Sequence, residues 1–112
     1  AASHYKLGNL CAVVDCNGLQ IDGKVSDVMN VYPVDKKFEA FGWHVITCSG
    51  HDIGQLIDAF HKAKEIKDKP VVLVADTVKG KGISFMEHNV GFHGVTPSVE
   101  ETEKALNELE SL

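Results

Sequence analysis

The chain has 112 residues, is 44% hydrophobic, and carries a formal net charge of -5. That is one domain's worth of chain or less. The acidic balance and the lack of a contiguous basic stripe speak against nucleic acid as a partner. No apolar run approaches bilayer-spanning length and no signal peptide is visible.

Three cysteines, Cys11, Cys16 and Cys48, are odd in number and lack CxxC spacing. They read as buried thiols in a reducing compartment, not as a disulfide framework or a zinc site. Residues 1–6 read as the last turn or two of a helix, with Gly8 as its stop. Because a domain rarely begins with a helix tail feeding a central strand, the sequence is expected to be part of a larger polypeptide.

The first strand is the apolar run Leu10-Cys11-Ala12-Val13-Val14, expected to be buried on both faces. A turn-rich stretch follows, and residues 25–32 read as irregular with a short helical turn. Pro33 and Asp35 open a helix over 34–41 with Phe38 and Phe41 inward and Gly42 as its stop. The second strand is Trp43-His44-Val45-Ile46-Thr47. Asp52, with Gln55 three residues on, caps a helix over 53–65 whose buried face is expected to be Ile53, Leu56, Ile57, Phe60 and Ala63. The third strand, 70–76, starts with a proline, tolerated where no donor is needed. Thr96-Pro97 and a capping box from Ser98 to Glu101 open a last helix with Leu106, Leu109 and Leu112 on one side and an acidic opposite side. Buried strands alternating with helices predict an α/β fold, a parallel sheet flanked by helices.

The chemistry gathers in loops after strands, where ligands of open parallel sheets collect. Asn17 lies in such a turn. Its amide oxygen and the backbone carbonyl of Leu19 offer two neutral oxygens to a hard cation such as Mg²⁺, which takes about six. Asn-Gly after a strand is also an ordinary tight turn. Lys79-Gly80-Lys81-Gly82 places cations and permissive backbone where a phosphate could sit, although a solvated Lys/Gly turn reads the same way. It is neither a Walker A loop nor a dinucleotide fingerprint. In Phe92-His93-Gly94, the histidine could orient a phosphate or a substrate hydroxyl.

Taken in order, Ala2-Ser3-His4-Tyr5-Lys6-Leu7, Val13-Val14-Asp15-Cys16-Asn17-Gly18-Leu19-Gln20-Ile21-Asp22-Gly23, Ala40-Phe41-Gly42-Trp43-His44-Val45, Gly50-His51-Asp52, Thr77-Val78-Lys79-Gly80-Lys81-Gly82 and Phe92-His93-Gly94 resemble transketolase. The likeness is to the N-terminal subunit form of organisms that split the enzyme, and it runs through essentially the whole chain. It implies that residues 1–112 are the later part of a thiamine diphosphate-binding domain, incomplete at the N-terminus. It also implies a cytoplasmic enzyme of the pentose phosphate pathway that moves a two-carbon ketol unit from a ketose phosphate to an aldose phosphate with thiamine diphosphate and Mg²⁺.

By the same resemblance, Asn17 is a Mg²⁺ ligand near the diphosphate, and Leu19 lends its carbonyl to the ion. Lys79 contacts the cofactor, and His93 touches the diphosphate and the donor sugar as the catalytic candidate. The family's Gly-Asp-Gly metal segment, its early channel histidines and its activating glutamate are not among these residues. The expected partners are therefore that upstream segment and a pyrimidine-binding subunit or domain, in a homodimer or α2β2 assembly, and the chain alone is expected to be inactive. A deoxyxylulose-phosphate synthase-like enzyme is the near alternative, although Gln20-Ile21-Asp22-Gly23 follows the transketolase pattern. A non-catalytic partner module that keeps the fold is the more distant one.

Overall fold

The structure, a computed structural model, describes residues 1–111. In chain order its elements are strands β1 (Cys11–Cys16), β2 (Leu19–Gln20) and β3 (Gly23–Lys24), helices α1 (Val25–Val28) and α2 (Val34–Ala40), strand β4 (His44–Ser49), helix α3 (Ile53–Glu65), strand β5 (Val71–Asp76), a 3₁₀ turn (Val90–His93) and helix α4 (Val99–Glu110). They divide between two compact units. One contains Ala1–Cys16 and Val31–Thr77; the other contains Asn17–Asn30 and the chain from Val78 on.

The first unit is built on β5, whose β-branched apolar run suits a strand paired on both sides. The sheet order is β1-β5-β4 and both pairings are parallel, as the alternation of strands and helices predicts. The register puts Cys16, Asp76 and Ser49 level at the carboxyl end. Pro70 precedes β5, and its carbonyl accepts the His44 N–H at 2.9 Å. Val71, Val72 and Leu73 are fully enclosed, with Leu73 at 0% exposure. On one face Val71 and Leu73 meet Ala59 and Ala63 of α3, with Ile46, Cys48 and Ile66 alongside.

Side chains alternate along a strand, so the opposite face carries Val74 and Asp76, which border a cavity bounded by Val34 and Asp35 of α2. Helix α2 ends in a Schellman motif. Gly42 stands at φ +81°. The Gly42 N–H donates to the Glu39 carbonyl at 2.9 Å, the Trp43 N–H donates to the Phe38 carbonyl at 3.1 Å, and the two rings meet edge-on.

Four expectations about the first unit are corrected. β1 is not buried on both faces: it is an edge strand, and Val13 is 53% exposed because α3 covers β4 and β5 and not its side chain. Phe41 does not point inward but is 76% exposed, since the Schellman turn carries it past the sheet while Phe38 takes the inner position.

On α3, Ala63 is buried as expected, but it shares the buried face with Ala59, and Ile53, Ile57 and Phe60 are exposed. At 3.6 residues per turn that larger apolar stripe lies about 100° around the helix from the sheet face. Alanine lets the helix approach closely, yet it carries little weight in a hydrophobic pattern. The thiols, finally, are not buried: Cys11 is exposed and Cys16 and Cys48 are intermediate, all three free.

The second unit holds little apolar core, with Val25 and Ala105 its buried apolar side chains among the described residues. β2 and β3 form a two-strand hairpin, and the Val25 N–H closes on the Gly18 carbonyl at 2.9 Å. Leu106 and Leu109 of α4 are half exposed, contrary to the expected apolar face, because Ala105 takes the inner position. Leu112 lies outside the described residues. The capping box is present as the sequence predicts, with the Ser98 N–H on Glu101 at 2.8 Å and the Glu101 N–H on Ser98 Oγ at 3.2 Å.

Candidate functional site

Asn17, Leu19, Lys79 and His93 all belong to the second unit. Asn17 is the residue after β1. Its Oδ1 accepts the Leu19 N–H at 2.9 Å, an Asx turn. Gly18 at φ +73° makes the backbone reversal possible. An amide oxygen has two lone pairs, so this hydrogen bond orients the Asn17 side chain and leaves one pair for a ligand. Among the described residues no three His, Cys, Asp or Glu side chains gather in metal-binding geometry. A cation here would draw on neutral oxygens, which suits a hard ion.

The Lys-Gly-Lys-Gly loop is tied by its own backbone. The Lys81 N–H donates to Val78 at 3.2 Å, the Ile83 N–H to Gly80 at 3.2 Å, and the His88 N–H to the Lys79 carbonyl at 3.0 Å. Gly80, at φ +75°, lies so close to Met86 that a Cβ would come within 2.4 Å of the Met86 carbonyl oxygen. The two lysines are not equivalent. Lys81 pairs with Glu87 at 3.2 Å, whereas among the described residues no carboxylate pairs with Lys79. An uncompensated ammonium on an ordered loop is the better match for an added anion.

His93 closes the 3₁₀ turn and is exposed. The turn is held at its start by Asn89, whose Oδ1 accepts the Gly91 N–H at 2.9 Å and whose Nδ2 donates to the Phe85 carbonyl at 3.2 Å. Phe92 packs edge-on against Phe85 at 5.7 Å, and Lys104 of α4 lies 4.9 Å over the Phe85 ring. His93 therefore sits on an anchored turn and not on a free loop.

A residue that the sequence reading passes over is Glu87. Its Oε1 accepts the Gly82 N–H at 3.1 Å as well as Lys81. The backbone bond, followed by the Lys81 contact, holds its carboxyl below the usual carboxylate range. Glu108 does comparable work on the next turn, accepting the Ser84 N–H at 2.6 Å and the Ser84 hydroxyl at 2.7 Å, and its carboxyl is likewise pushed down. An acidic residue shortly after two lysines was the available signal for Glu87.

The first unit has its own concavity. A cavity of about 530 Å³ at the carboxyl ends of the strands is lined by Cys16, Asp35, Thr47, Ser49 and Asp76 among others, and by none of the four candidate residues. At the same end the Thr77 hydroxyl donates a short hydrogen bond to Asp15. Burial raises the Cys16 thiol first, and the charges of Asp15, Asp76 and Asp35 raise it further, so it stays protonated.

Comparison with known proteins shows the family of this chain. Residues 1–110 match the family described as transketolase, thiamine diphosphate binding domain. The chain is 43% identical over 108 residues to one of the apulose-4-phosphate transketolase subunits of Actinobacillus succinogenes, covering 96% of this chain and 39% of that one. It is 36% identical over 109 residues to a 6-deoxy-6-sulfo-D-fructose transketolase subunit of a Clostridium species, covering 97% and 40%. Among solved structures, the transketolase of Campylobacter jejuni superposes with a TM-score of 0.89 at 31% identity, covering 97% of this chain and 17% of that one. The chain thus spans about 39% of the length of the first of these relatives.

Proposed function

This chain belongs to the transketolase family, in its thiamine diphosphate-binding domain, and we propose that it is the later part of that domain in a two-chain transketolase of the cytoplasm. The reaction proposed is transfer of a two-carbon ketol unit from a ketose phosphate to an aldose phosphate, with thiamine diphosphate and Mg²⁺ as cofactors. The partner proposed is a separate pyrimidine-binding subunit. Relatives that are themselves named as transketolase subunits support that reading. The observation that supports the site is a contrast within one compact unit: Lys81 is neutralised internally and Lys79 is not, and the same unit holds the Asn17 amide oxygen with a lone pair to give.

In this reading the Asn17 Oδ1 and the Leu19 carbonyl would hold the divalent ion, and Lys79 would hold the diphosphate. His93 donates a hydrogen bond toward the diphosphate and steadies an oxygen of the donor sugar as its charge changes. When bound, thiamine diphosphate supplies the reactive carbon and the electron sink; the protein supplies orientation and electrostatics. Two relatives are named for apulose 4-phosphate and for 6-deoxy-6-sulfo-D-fructose. Those names support a wider donor class, ketoses with a phosphate or sulfonate at the far end, in place of pentose phosphate pathway sugars alone.

Calorimetric titration of thiamine diphosphate into the full-length subunit that carries this chain tests the reading. Saturable binding that requires Mg²⁺ and is lost on Lys79→Ala is expected. No heat of binding would favour the non-catalytic module. Release of carbon dioxide from pyruvate by the assembled enzyme would favour the deoxyxylulose-phosphate synthase-like alternative.

A further inference from the structure

Resting on the assignment of Lys79 to the cofactor's diphosphate, we propose that Glu87 is a positioning residue for Lys79, a built-in anion that shapes the Lys-Gly-Lys-Gly loop for one phosphate contact. The loop could in principle meet an anion with two ammonium groups and with glycine N–H groups. The structure commits half of those donors elsewhere. A single oxygen of Glu87 takes both the Gly82 N–H at 3.1 Å and Lys81 Nζ at 3.2 Å. The backbone that carries this side chain is tied as well, since the Glu87 N–H donates to the Ile83 carbonyl at 3.1 Å. Its neighbour His88 donates its N–H to the Lys79 carbonyl at 3.0 Å. Adjacent residues thus clamp both arms of the loop, one at the turn and the other at the base of Lys79.

The charge balance points the same way. Two bare ammonium groups two positions apart repel each other and compete for one anion. With Lys81 cancelled by Glu87, the loop presents one net positive charge, and it sits on Lys79. The Glu87 side chain is 30% exposed against 52% for Lys81, so the pair is partly shielded and screened less than a fully solvated one. Glu87 touches neither cofactor nor sugar in this scheme; it acts through the loop.

The test uses the assembled transketolase. Glu87→Ala is expected to raise the thiamine diphosphate KM about tenfold, in the range that loss of an outer-shell partner costs a bound ion. The kcat at saturating cofactor should stay within about twofold, the signature of lost uniform binding. Glu87→Gln keeps an acceptor for Gly82 and loses the charge, and should give a smaller rise; it carries the test if the alanine variant fails to fold. The double variant Lys79→Ala with Glu87→Ala should be no worse than Lys79→Ala alone, a coupling that a merely structural role would not produce. An unchanged or lowered KM in both Glu87 variants, or additive effects in the double variant, overturns the proposal. If Lys79→Ala itself leaves the KM unchanged, the cofactor assignment fails and this inference falls with it. A raised KM in Lys79→Ala beside unchanged Glu87 variants overturns this inference alone.

Discussion

In the unit built on β5, order comes from burial: Val71, Val72 and Leu73 are enclosed, and Ala59 and Ala63 bring α3 down onto them. In the unit that holds Asn17, Lys79 and His93, order comes from side chains gripping backbone. Asn17 accepts from Leu19, Glu87 from Gly82, Glu108 from Ser84, Asn89 from Gly91 and Ser98 from Glu101. Burial is non-directional, so it can hold a sheet but cannot aim a lysine. Hydrogen bonds are directional and worth about 1 kcal/mol each net. The unit that carries the proposed chemistry is therefore the one held by many small, aimed interactions.

The largest expected effect breaks the first unit and spares the second. Leu73→Ala removes a fully enclosed side chain from the central strand and should cost roughly 2–5 kcal/mol, read as a lowered midpoint in urea. Per folded molecule, the affinity for thiamine diphosphate should be unchanged. A parallel loss of affinity would mean that the two modes of construction are not separable.

The converse change is Asn17→Ala. It should weaken Mg²⁺-dependent cofactor binding by at least the roughly 10–100-fold typical of outer-shell changes, while stability falls by only about 1 kcal/mol for the lost Asx bond. Calorimetry and urea titration on the same preparation check both halves. An unchanged affinity would remove Asn17 from the metal's ligands.

A smaller effect sharpens the contrast within the second unit. Ser98→Ala deletes one arm of the capping box at α4 and should cost about 1 kcal/mol. Hydrogen exchange should show the first turn of α4 losing protection with β5 unaffected.

The same contrast decides what could be read from residues alone. Apolar runs announce strands, so the three parallel strands, α3 with its Asp52 cap and α4 with its Ser98 box were legible. The buried faces were legible only at Ala63. Ala59 and Ala105 share the packing, and a small side chain that permits close approach leaves a weak mark in a hydrophobicity pattern. Whether β1 was edge or centre depended on strand order, which is a long-range pairing no local run reveals. For the proposed site, residue types nominated Asn17, Lys79 and His93. Which lysine was free depended on Glu87, and Lys79 and Lys81 look alike until the carboxylate's position is known.

Acid gives the smallest and most local way to separate the two units. Bonds from Ser84 push the carboxyl of Glu108 below its ordinary 4.5, and bonds from Gly82 and then Lys81 push Glu87 below the same value. Asp52, in the first unit, is held below 3.8 chiefly by Gln55. A carboxylate whose folded pKa is depressed stabilises the fold above its unfolded pKa, and that contribution is lost as pH falls through the folded value. The turns around 82–88 and the start of their contact with α4 should therefore loosen as pH drops from 4.5 downward, while β5, held by burial, keeps its amide protection. Glu108→Gln should lower protection of Ser84 and α4 at neutral pH and flatten the dependence on acid, because the variant has no proton to take up. Hydrogen exchange compared at neutral pH and in acid reads both. If β5 opened at the same pH as the Ser84 turn, the two units would share one stability, and the division between a buried frame and a hydrogen-bonded loop unit would not survive.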